Sequence, residues 1–413
     1  VDKVVSEDSL ADDAIAFARE QIGKPVPRSS EGTANEDGVK NPAIFDEFRQ
    51  KMARKIRGFD APQAGIEAVK AAGEMSYEDG VAKERELFGN LMTGTQSAAM
   101  RHYFFAERAA NKIDGVDPKI DLIPVKKVGV IGAGTMGGGI AAHLANVGIQ
   151  VVLLDIPTPG AGDSRAERNK IVDGLYKRLT KSRPASFGRS DRTNLGTTGN
   201  TQDDFDKLAD CDWVVEVIIE QLEPKKQLMA RLEEVVKPTT IISSNTSGIP
   251  ITEIVEDCSD DFKGRFLGTH FFNPPRYLKL LELIPTEWTR PDVLKFMVDF
   301  GSNTLGKGVV VCKDTPNFIA NRFISITGSY AANYALDNGY SIAEVDAITG
   351  PVIGRPKTAT FRLTDLVGLD VMYHVNNNLY PAIPHDKYRE VLKNEKAVAL
   401  VNEMMARKWL GNK

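Results

Sequence analysis

The feature that most constrains the fold of this chain is a glycine-rich turn between an apolar strand and a helix, read as KVGVIGAGTMGGGI at residues 127–140. Gly132 permits a tight turn, Gly134 lets the backbone approach a pyrophosphate, and Gly137 lets the helix pack closely on the strand. The N–H groups that open the helix then face the phosphates. A dinucleotide site is therefore predicted; the alternative is a glycine-rich turn in another kind of βα unit. The predicted turn residues are Gly132, Gly134, Thr135, Met136 and Gly137.

An acidic residue at the end of the next predicted strand indicates which dinucleotide is bound. The apolar run IQVVLLD ends in Asp155. A carboxylate at this distance from the turn accepts hydrogen bonds from the adenosine ribose, and its negative charge repels the additional phosphate of NADP. The sequence therefore predicts NAD rather than NADP as the cofactor.

Charge and hydropathy argue against several classes of partner. The formal net charge is −4 over 413 residues, which gives no electrostatic reason to expect nucleic acid or an anionic membrane. No apolar run approaches the roughly 20 residues of a membrane span, and the N-terminus carries no secretory signal. A cytoplasmic protein is expected. The three cysteines are far apart and predict neither a disulfide framework nor a metal site; we expect them to be buried small hydrophobic residues.

The pattern of predicted elements divides the chain into three parts. Residues 1–120 consist of helices and most of a linker at 117–124. From the pattern of its first residues, we expect the chain to begin inside a domain. Residues 125–311 alternate strands and helices, which predicts an α/β fold with a Rossmann-type, doubly wound, mostly parallel sheet. Residues 312–413 are mostly helix-compatible from about Asn317 onward and predict an all-helical C-terminal domain.

In the first part, helices are predicted at about 42–56 and 61–72, and one long helix from Ser76 to about Ile113. Apolar side chains recur along this long helix at near-helical spacing, which predicts one buried stripe. The stripe consists of Val81, Phe88, Leu91, Met92, Ala99 and Tyr103.

Polar residues follow three of the predicted strands, where the crevice of an open α/β sheet receives its ligand. They are Glu220 with Lys225, the Ser-Asn-Thr-Ser run at 244–247, and His270 with Asn273. Two simpler interpretations stay open: Asn and Ser after a strand often only cap the next helix, and Lys225 could be a solvated helix residue.

His270 is the strongest candidate for a catalytic base among the five histidines. It lies at the end of an apolar strand, and Glu282 lies in a second apolar segment, LKLLELI, where a charged side chain needs a partner. If the two segments are adjacent, the carboxylate would fix the imidazole tautomer and stabilise the imidazolium. The alternative is a half-buried glutamate bonded to backbone groups.

Taken together, several motifs resemble the NAD-dependent (S)-3-hydroxyacyl-CoA dehydrogenase family in order and spacing. They are GAGTMG, VVEVIIEQLEPK, SSNTSGIPIT, GTHFFNP, LLELI and KDTPNFIANR, and the resemblance covers residues 127–413. The residues before 127 resemble the last helices of a crotonase-type enoyl-CoA hydratase/isomerase domain, as in fused multifunctional β-oxidation enzymes. That part lacks the crotonase oxyanion hole and paired glutamates, so hydratase activity is not expected from this chain.

The resemblance implies oxidation of a (S)-3-hydroxyacyl-CoA to the 3-oxoacyl-CoA with NAD+ in fatty-acid β-oxidation, and a homodimer formed through the C-terminal helices. His270 would take the proton of the 3-hydroxyl, oriented by Glu282. Ser247 and Asn321 would contact the substrate's oxygen atoms. The implied cofactor contacts are Asp155, Glu220, Lys225, Ser247, Asn273 and, at the end of the chain, Lys413. The GRPK segment departs from the family's usual pattern and leaves the acyl-chain preference open.

Two other functions are considered. A dehydrogenase of small free β-hydroxy acids would use a lysine as its base, and the context of His270 argues against it. A non-catalytic NAD-binding or structural protein of the same fold is the second alternative. The presence of His270, Glu282, Ser247 and Asn321 together argues against that one.

Overall fold

The computed structural model describes residues 2–26, 28, 30, 40–110 and 124–411. Its contacts divide the chain into two compact units, Val1–Phe104 and Phe105–Lys413. Lys413 and all but the last residue of the expected linker at 117–124 lie outside the described residues. In the described ranges, no helix has the length and apolar character that crossing a membrane requires.

The described residues before residue 111 form five α-helices. Their bounds are α1 (Leu10–Gln21), α2 (Ala43–Ile56), α3 (Asp60–Glu74), α4 (Tyr77–Thr93) and α5 (Thr95–Ala110). Ser76 caps α4, because its side-chain oxygen accepts a hydrogen bond from the N–H of Asp79 at 3.1 Å.

The prediction of one continuous helix from Ser76 to Ile113 is wrong. Gly94 adopts an extended conformation (ψ 159°) and divides the segment into α4 and α5, in keeping with the low helix propensity of glycine. The prediction of a buried stripe is also wrong, since Phe88 and Tyr103 are 63% and 67% exposed. Periodicity identifies the apolar face of a helix, but it does not say what covers that face.

The second unit is built on an eight-stranded sheet within the described residues, in the order β3-β2-β1-β4-β5-β6-β7-β8. All neighbouring pairs are parallel except β6 and β7, which are antiparallel. This confirms the Rossmann-type, mostly parallel sheet. Strand order reverses between β1 and β4, and the carboxyl ends of the strands there form the crevice in which such sheets bind ligands. The strands are β1 (Lys127–Ile131), β2 (Gln150–Asp155), β3 (Gly196–Asn200), β4 (Trp213–Glu216), β5 (Ile241–Ser244), β6 (Phe266–Phe271), β7 (Leu280–Pro285) and β8 (Gly308–Val311).

Helices cover both faces of this sheet, so the strands are apolar along nearly their whole length. One face buries Val128 and Val130 of β1 in a core cluster, and the other buries Ile131. The helices of this part are α6 (Thr135–Asn146), α7 (Arg165–Arg168), α8 (Lys170–Leu179), α9 (Leu222–Val235), α10 (Ile251–Ile254), α11 (Asp260–Gly264) and α12 (Pro291–Asp299).

The three cysteines are buried, as expected, and none forms a disulfide. Burial raises the pKa of the Cys211 and Cys312 thiols to about 12 and that of Cys258 to about 11. These thiols therefore stay protonated and are poor nucleophiles.

The described chain after residue 319 consists of helices and the turns that join them, which confirms the helical C-terminal domain. The expected helix from Asn317 begins three residues later, because Asn317 and Phe318 have left-handed φ angles of 62° and 49°. Leu379, Ile383 and Leu392 form a small apolar cluster. The helices are α13 (Ala320–Asn338), α14 (Ile342–Thr349), α15 (Phe361–Val367), α16 (Leu369–Ala382) and α17 (Glu395–Ala406).

Candidate active site

The glycine-rich turn has the shape that a dinucleotide pyrophosphate requires. Gly132 has a φ of +105°, and a Cβ there would lie 2.4 Å from the carbonyl oxygen of Val217. A Cβ on Gly137 would lie 1.8 Å from the carbonyl oxygen of Gly132, so both positions exclude any side chain. Gly134, in contrast, faces open space, with no atom within 4 Å of a Cβ position. The residues present therefore fit the pyrophosphate of NAD.

The N-terminus of α6 adds donors beside this turn. The helix begins at Thr135 and Met136, and within the described chain no side chain caps it, so its first N–H groups remain available to phosphate oxygens. Asp155 ends β2, and its two carboxylate oxygens accept the N–H groups of Ala133 and Ile156 at 2.8 and 2.7 Å. Each oxygen keeps a second lone pair for a ribose hydroxyl.

Lys225 is fully buried on α9, at 1% exposure, so the interpretation of it as a solvated helix residue is wrong. Its ammonium lies 2.7 Å from an oxygen of the buried Glu216 and 3.5 Å from Glu220. Glu216 also accepts a hydrogen bond from the Ser244 hydroxyl at the end of β5. The buried pair therefore joins the ends of β4 and β5 to α9.

Glu220 holds the loop that follows β5. One of its oxygens accepts the N–H groups of Ser247 and Gly248 at 2.8 and 2.9 Å, and the Thr246 hydroxyl as well. Burial by itself raises the pKa of Glu220, but Lys225 and these donors outweigh it and hold that pKa below its ordinary value. The ionised Glu220 thus positions Ser247.

The antiparallel register of β6 and β7 pairs His270 with Glu282. The imidazole is 3% exposed, and its Nδ1 lies 2.7 Å from a carboxylate oxygen of Glu282. Its Nε2 lies 3.1 Å from the Ser247 hydroxyl oxygen. When Nδ1 carries the ring proton and donates a hydrogen bond to Glu282, Nε2 presents a lone pair. The structure thus brings together these three predicted site residues at the carboxyl ends of the parallel strands.

Glu282 also reaches the C-terminal helical domain. Its second oxygen accepts the N–H groups of Ile319 and Ala320, at 3.2 and 2.8 Å, where α13 begins. Both sequence interpretations of this glutamate therefore apply, since one carboxylate orients His270 and binds backbone groups. Glu282 therefore connects the start of α13 to His270.

The other two predicted site residues lie farther out. Asn321 is partly exposed and directly follows Ala320, the residue bound by Glu282. Asn273 is exposed in the segment after β6. Within the described chain, no hydrogen bond joins the side chain of either residue to His270.

Sequence analysis missed three residues of this site. Glu216 is buried at the end of VVE, and a charged side chain in an apolar strand is the same signal that identified Glu282. The other two are Phe272 and Phe318, whose ring centroids lie 4.5 and 5.5 Å from that of His270 and which had no such signal. In the ranges that the structure describes, no group of three or more His, Cys, Asp or Glu side chains could hold a metal ion.

A second buried histidine, His143, lies on α6. Its Nε2 lies 3.1 Å from the Leu305 carbonyl oxygen. Burial and the positive charges of Lys307 and Arg276 lower the pKa of His143 to about 4. His143 is therefore neutral near pH 7.

Two family models match this chain. The NAD-binding domain of 3-hydroxyacyl-CoA dehydrogenase matches residues 127–315, and the C-terminal domain of the same family matches residues 318–413. A probable 3-hydroxyacyl-CoA dehydrogenase of Bacillus subtilis is 48% identical over 70% of this chain and 37% of its own length. The peroxisomal bifunctional enzyme of Cavia porcellus is 33% identical over 91% of this chain and 50% of its own length.

Among solved structures, (S)-3-hydroxybutyryl-CoA dehydrogenase from Ralstonia eutropha is 30% identical with a TM-score of 0.56, over 70% of this chain and 96% of that one. The chain spans half or less of the length of the two curated relatives just named. The two family models together match residues 127–315 and 318–413, and the solved relative is covered almost completely. The chain therefore belongs to the 3-hydroxyacyl-CoA dehydrogenase family, and residues 127–315 are its NAD-binding domain.

Proposed function

We propose that this chain oxidises a (S)-3-hydroxyacyl-CoA to the 3-oxoacyl-CoA with NAD+, with His270 as the base. One observation carries the proposal. The buried His270 is held at Nδ1 by Glu282 and presents Nε2 to the Ser247 hydroxyl, 3.1 Å away. Bound NAD+ supplies the hydride acceptor, and the protein must supply a proton acceptor and hold the substrate in place.

The arrangement suits proton removal from a secondary alcohol. Nε2 of His270 takes the 3-hydroxyl proton, and the negative charge of Glu282 stabilises the imidazolium that results. Both side chains are almost completely buried, and a charge pair interacts more strongly away from water. Ser247 and Asn321 are proposed to hold the substrate's oxygen atoms, because Ser247 contacts Nε2 and Asn321 lies at the start of α13.

Three sets of residues are proposed for the cofactor site. The turn residues and Asp155 bind the pyrophosphate and the ribose directly. Glu220 and Lys225 act mainly by fixing the Ser247 loop, as their hydrogen bonds indicate. Asn273, exposed after β6, is proposed to contact the cofactor at the edge of the crevice.

We further propose three functional parts, at 1–120, 125–311 and 312–413, of which the first is the end of a crotonase-like domain. A homodimer through the C-terminal helices is also proposed, because Phe323, Tyr330 and Tyr334 form an exposed aromatic stripe on α13. A place in fatty-acid β-oxidation is also proposed, because a putative fatty acid oxidation complex trifunctional enzyme of Rickettsia felis is 40% identical over 70% of this chain and 39% of its own length. Action in the cytoplasm stays a prediction from the sequence.

The proposed activity is tested in the reverse direction, by measuring how fast the purified chain consumes NADH when acetoacetyl-CoA is added. We expect turnover by the wild type and none by His270→Ala, with nearly equal NADH affinity, because the base is not needed to hold the cofactor. Bound NADH that is never consumed would favour the non-catalytic alternative. Turnover of free acetoacetate in place of the thioester would favour the small-acid dehydrogenase.

A further inference from the structure

A basic cavity lies at the far end of α6 from the glycine turn. Its volume is about 350 Å³. His143 is eight residues beyond Thr135 on the same helix, so the cavity lies about 12 Å along the helix axis from the start of α6. The cavity, called the arginine pocket below, is lined by His143, Asn146, Gly188, Arg189, Arg192 and Arg276.

The positive charges around the arginine pocket are poorly neutralised. Arg189 pairs with Asp191 at 2.8 Å. Arg276 donates to the carbonyl oxygens of Ala185 and Phe187, and the nearby Lys307 also donates to backbone carbonyls. Among the described residues, no carboxylate lies within 4.0 Å of the charged nitrogens of Arg192, Arg276 or Lys307, so a net positive potential remains.

Two residues that line the pocket each have a buried nitrogen without a hydrogen-bond partner within the described chain. These nitrogens are Nδ1 of His143, a residue that is 8% exposed, and Nε of Arg192. Buried polar groups without partners are uncommon in folded proteins, and each calls for a ligand, a water or another explanation. With Nε2 donating to the Leu305 carbonyl, Nδ1 of His143 can accept a hydrogen bond from a protonated oxygen or take up a proton beside an anion.

One opposing effect is the negative end of the α6 dipole, which also lies here. A helix C-terminus carries the equivalent of about half a negative charge. Arg189, Arg192 and Arg276 supply three full positive charges to the same cavity, and only Arg189 has a carboxylate partner among the described residues. The balance therefore favours an anion. Guanidinium groups bind phosphate in bidentate fashion, and a pocket of this volume accommodates a small phosphate compound.

We propose that the arginine pocket is a phosphate-binding site separate from the cofactor turn. Its ligand is either a phosphate group of the nucleotide part of CoA or a free phosphate compound. The first source rests on the proposed function, because it requires an acyl-CoA substrate. The second source does not depend on catalysis.

The test begins with calorimetric titration of the full chain with inorganic pyrophosphate, in saturating NADH so that the cofactor turn is filled. Arg192→Gln removes a guanidinium for which the structure gives no hydrogen bond, so folding is expected to be retained. Arg54→Gln, an exposed arginine on α2, makes the same charge change away from the pocket. We expect binding by the wild type, about tenfold or greater weakening in Arg192→Gln, and no change in Arg54→Gln.

Absence of binding by the wild type, or equal affinities of the two variants, would overturn the proposal. The source of the phosphate is then decided with acetoacetyl-CoA and acetoacetyl-pantetheine, which lacks the nucleotide. A higher KM of Arg192→Gln for the CoA thioester alone assigns the site to CoA; unchanged KM values for both assign it to a free phosphate compound. If the wild type turns over neither thioester, the proposed function is contradicted, and the pyrophosphate titration alone decides whether the arginine pocket binds phosphate.

Discussion

Replacing Glu282 by glutamine changes one group at the centre of the proposed dyad while keeping its size. The amide oxygen of Glu282→Gln can still accept the N–H groups of Ile319 and Ala320, as the carboxylate does. The amide nitrogen then faces Nδ1 of His270, in place of the oxygen that lies 2.7 Å away. Because an amide nitrogen can only donate, Nδ1 becomes the acceptor and the ring proton moves to Nε2.

This tautomer lacks the lone pair that the reaction needs at Nε2. Removing a general base costs about 10²–10⁴-fold in rate, which is about 2.7–5.4 kcal/mol of barrier at 1.36 kcal/mol per factor of ten. The variant also loses the charge that stabilises the imidazolium. We therefore expect kcat to fall by about 10³-fold or more, with KM for NADH nearly unchanged.

The assay is steady-state NADH consumption with acetoacetyl-CoA, together with NADH affinity measured by fluorescence. Glu287→Gln is the matched control, since it makes the same change at an exposed residue just after β7. The control should match the wild type in both measurements. A kcat for Glu282→Gln equal to that of the wild type would refute the tautomer argument, and a parallel loss of NADH affinity would show that the substitution disturbs the cofactor site instead.

Two further predictions test the cofactor site and the buried histidine on α6. Asp155→Asn removes the negative charge but keeps one acceptor oxygen, so NAD binding should weaken and the preference over NADP should shrink; unchanged kcat/KM for both cofactors would contradict the ribose assignment. In the unfolded chain, His143 is protonated below its ordinary pKa of 6.5, whereas in the folded chain it is protonated only below about pH 4. The free energy of unfolding should therefore decrease as the pH is lowered from 6.5 to 4, by up to about 3 kcal/mol. Urea unfolding of His143→Gln should lack that part of the pH dependence.

Most of the nucleotide-binding fold could be predicted because its signals are local. The turn after β1 needs glycine at Gly132 and Gly137, where a Cβ would collide with backbone oxygens. The alternation of strands and helices then implies a parallel sheet. The N-terminal helices were predicted less well, because the break at Gly94 and the exposure of Phe88 depend on conformation and packing that periodicity does not report.

The side-chain contacts of the candidate site depend on residues that are far apart in the chain. The sequence placed a charged Glu282 in an apolar segment, but only the antiparallel register of β6 and β7 sets it against His270. Its bond to the start of α13 had no sequence signal, because it joins residues 37 and 38 positions apart. The burial of Lys225 had no local signal, because its partner Glu216 lies beside it only in the folded chain.

The amino-acid sequence alone thus determined the layered α/β architecture, the dinucleotide turn and the acid that ends β2, because each depends on local residue patterns along the chain. The tertiary structure decided which charges are paired. It placed one carboxylate of β7 between an imidazole and a helix N-terminus, and it gathered three arginines and a histidine from three separate segments around one cavity. Electrostatic interaction depends on distance in space, and distance in space between remote residues is set only when the chain has folded.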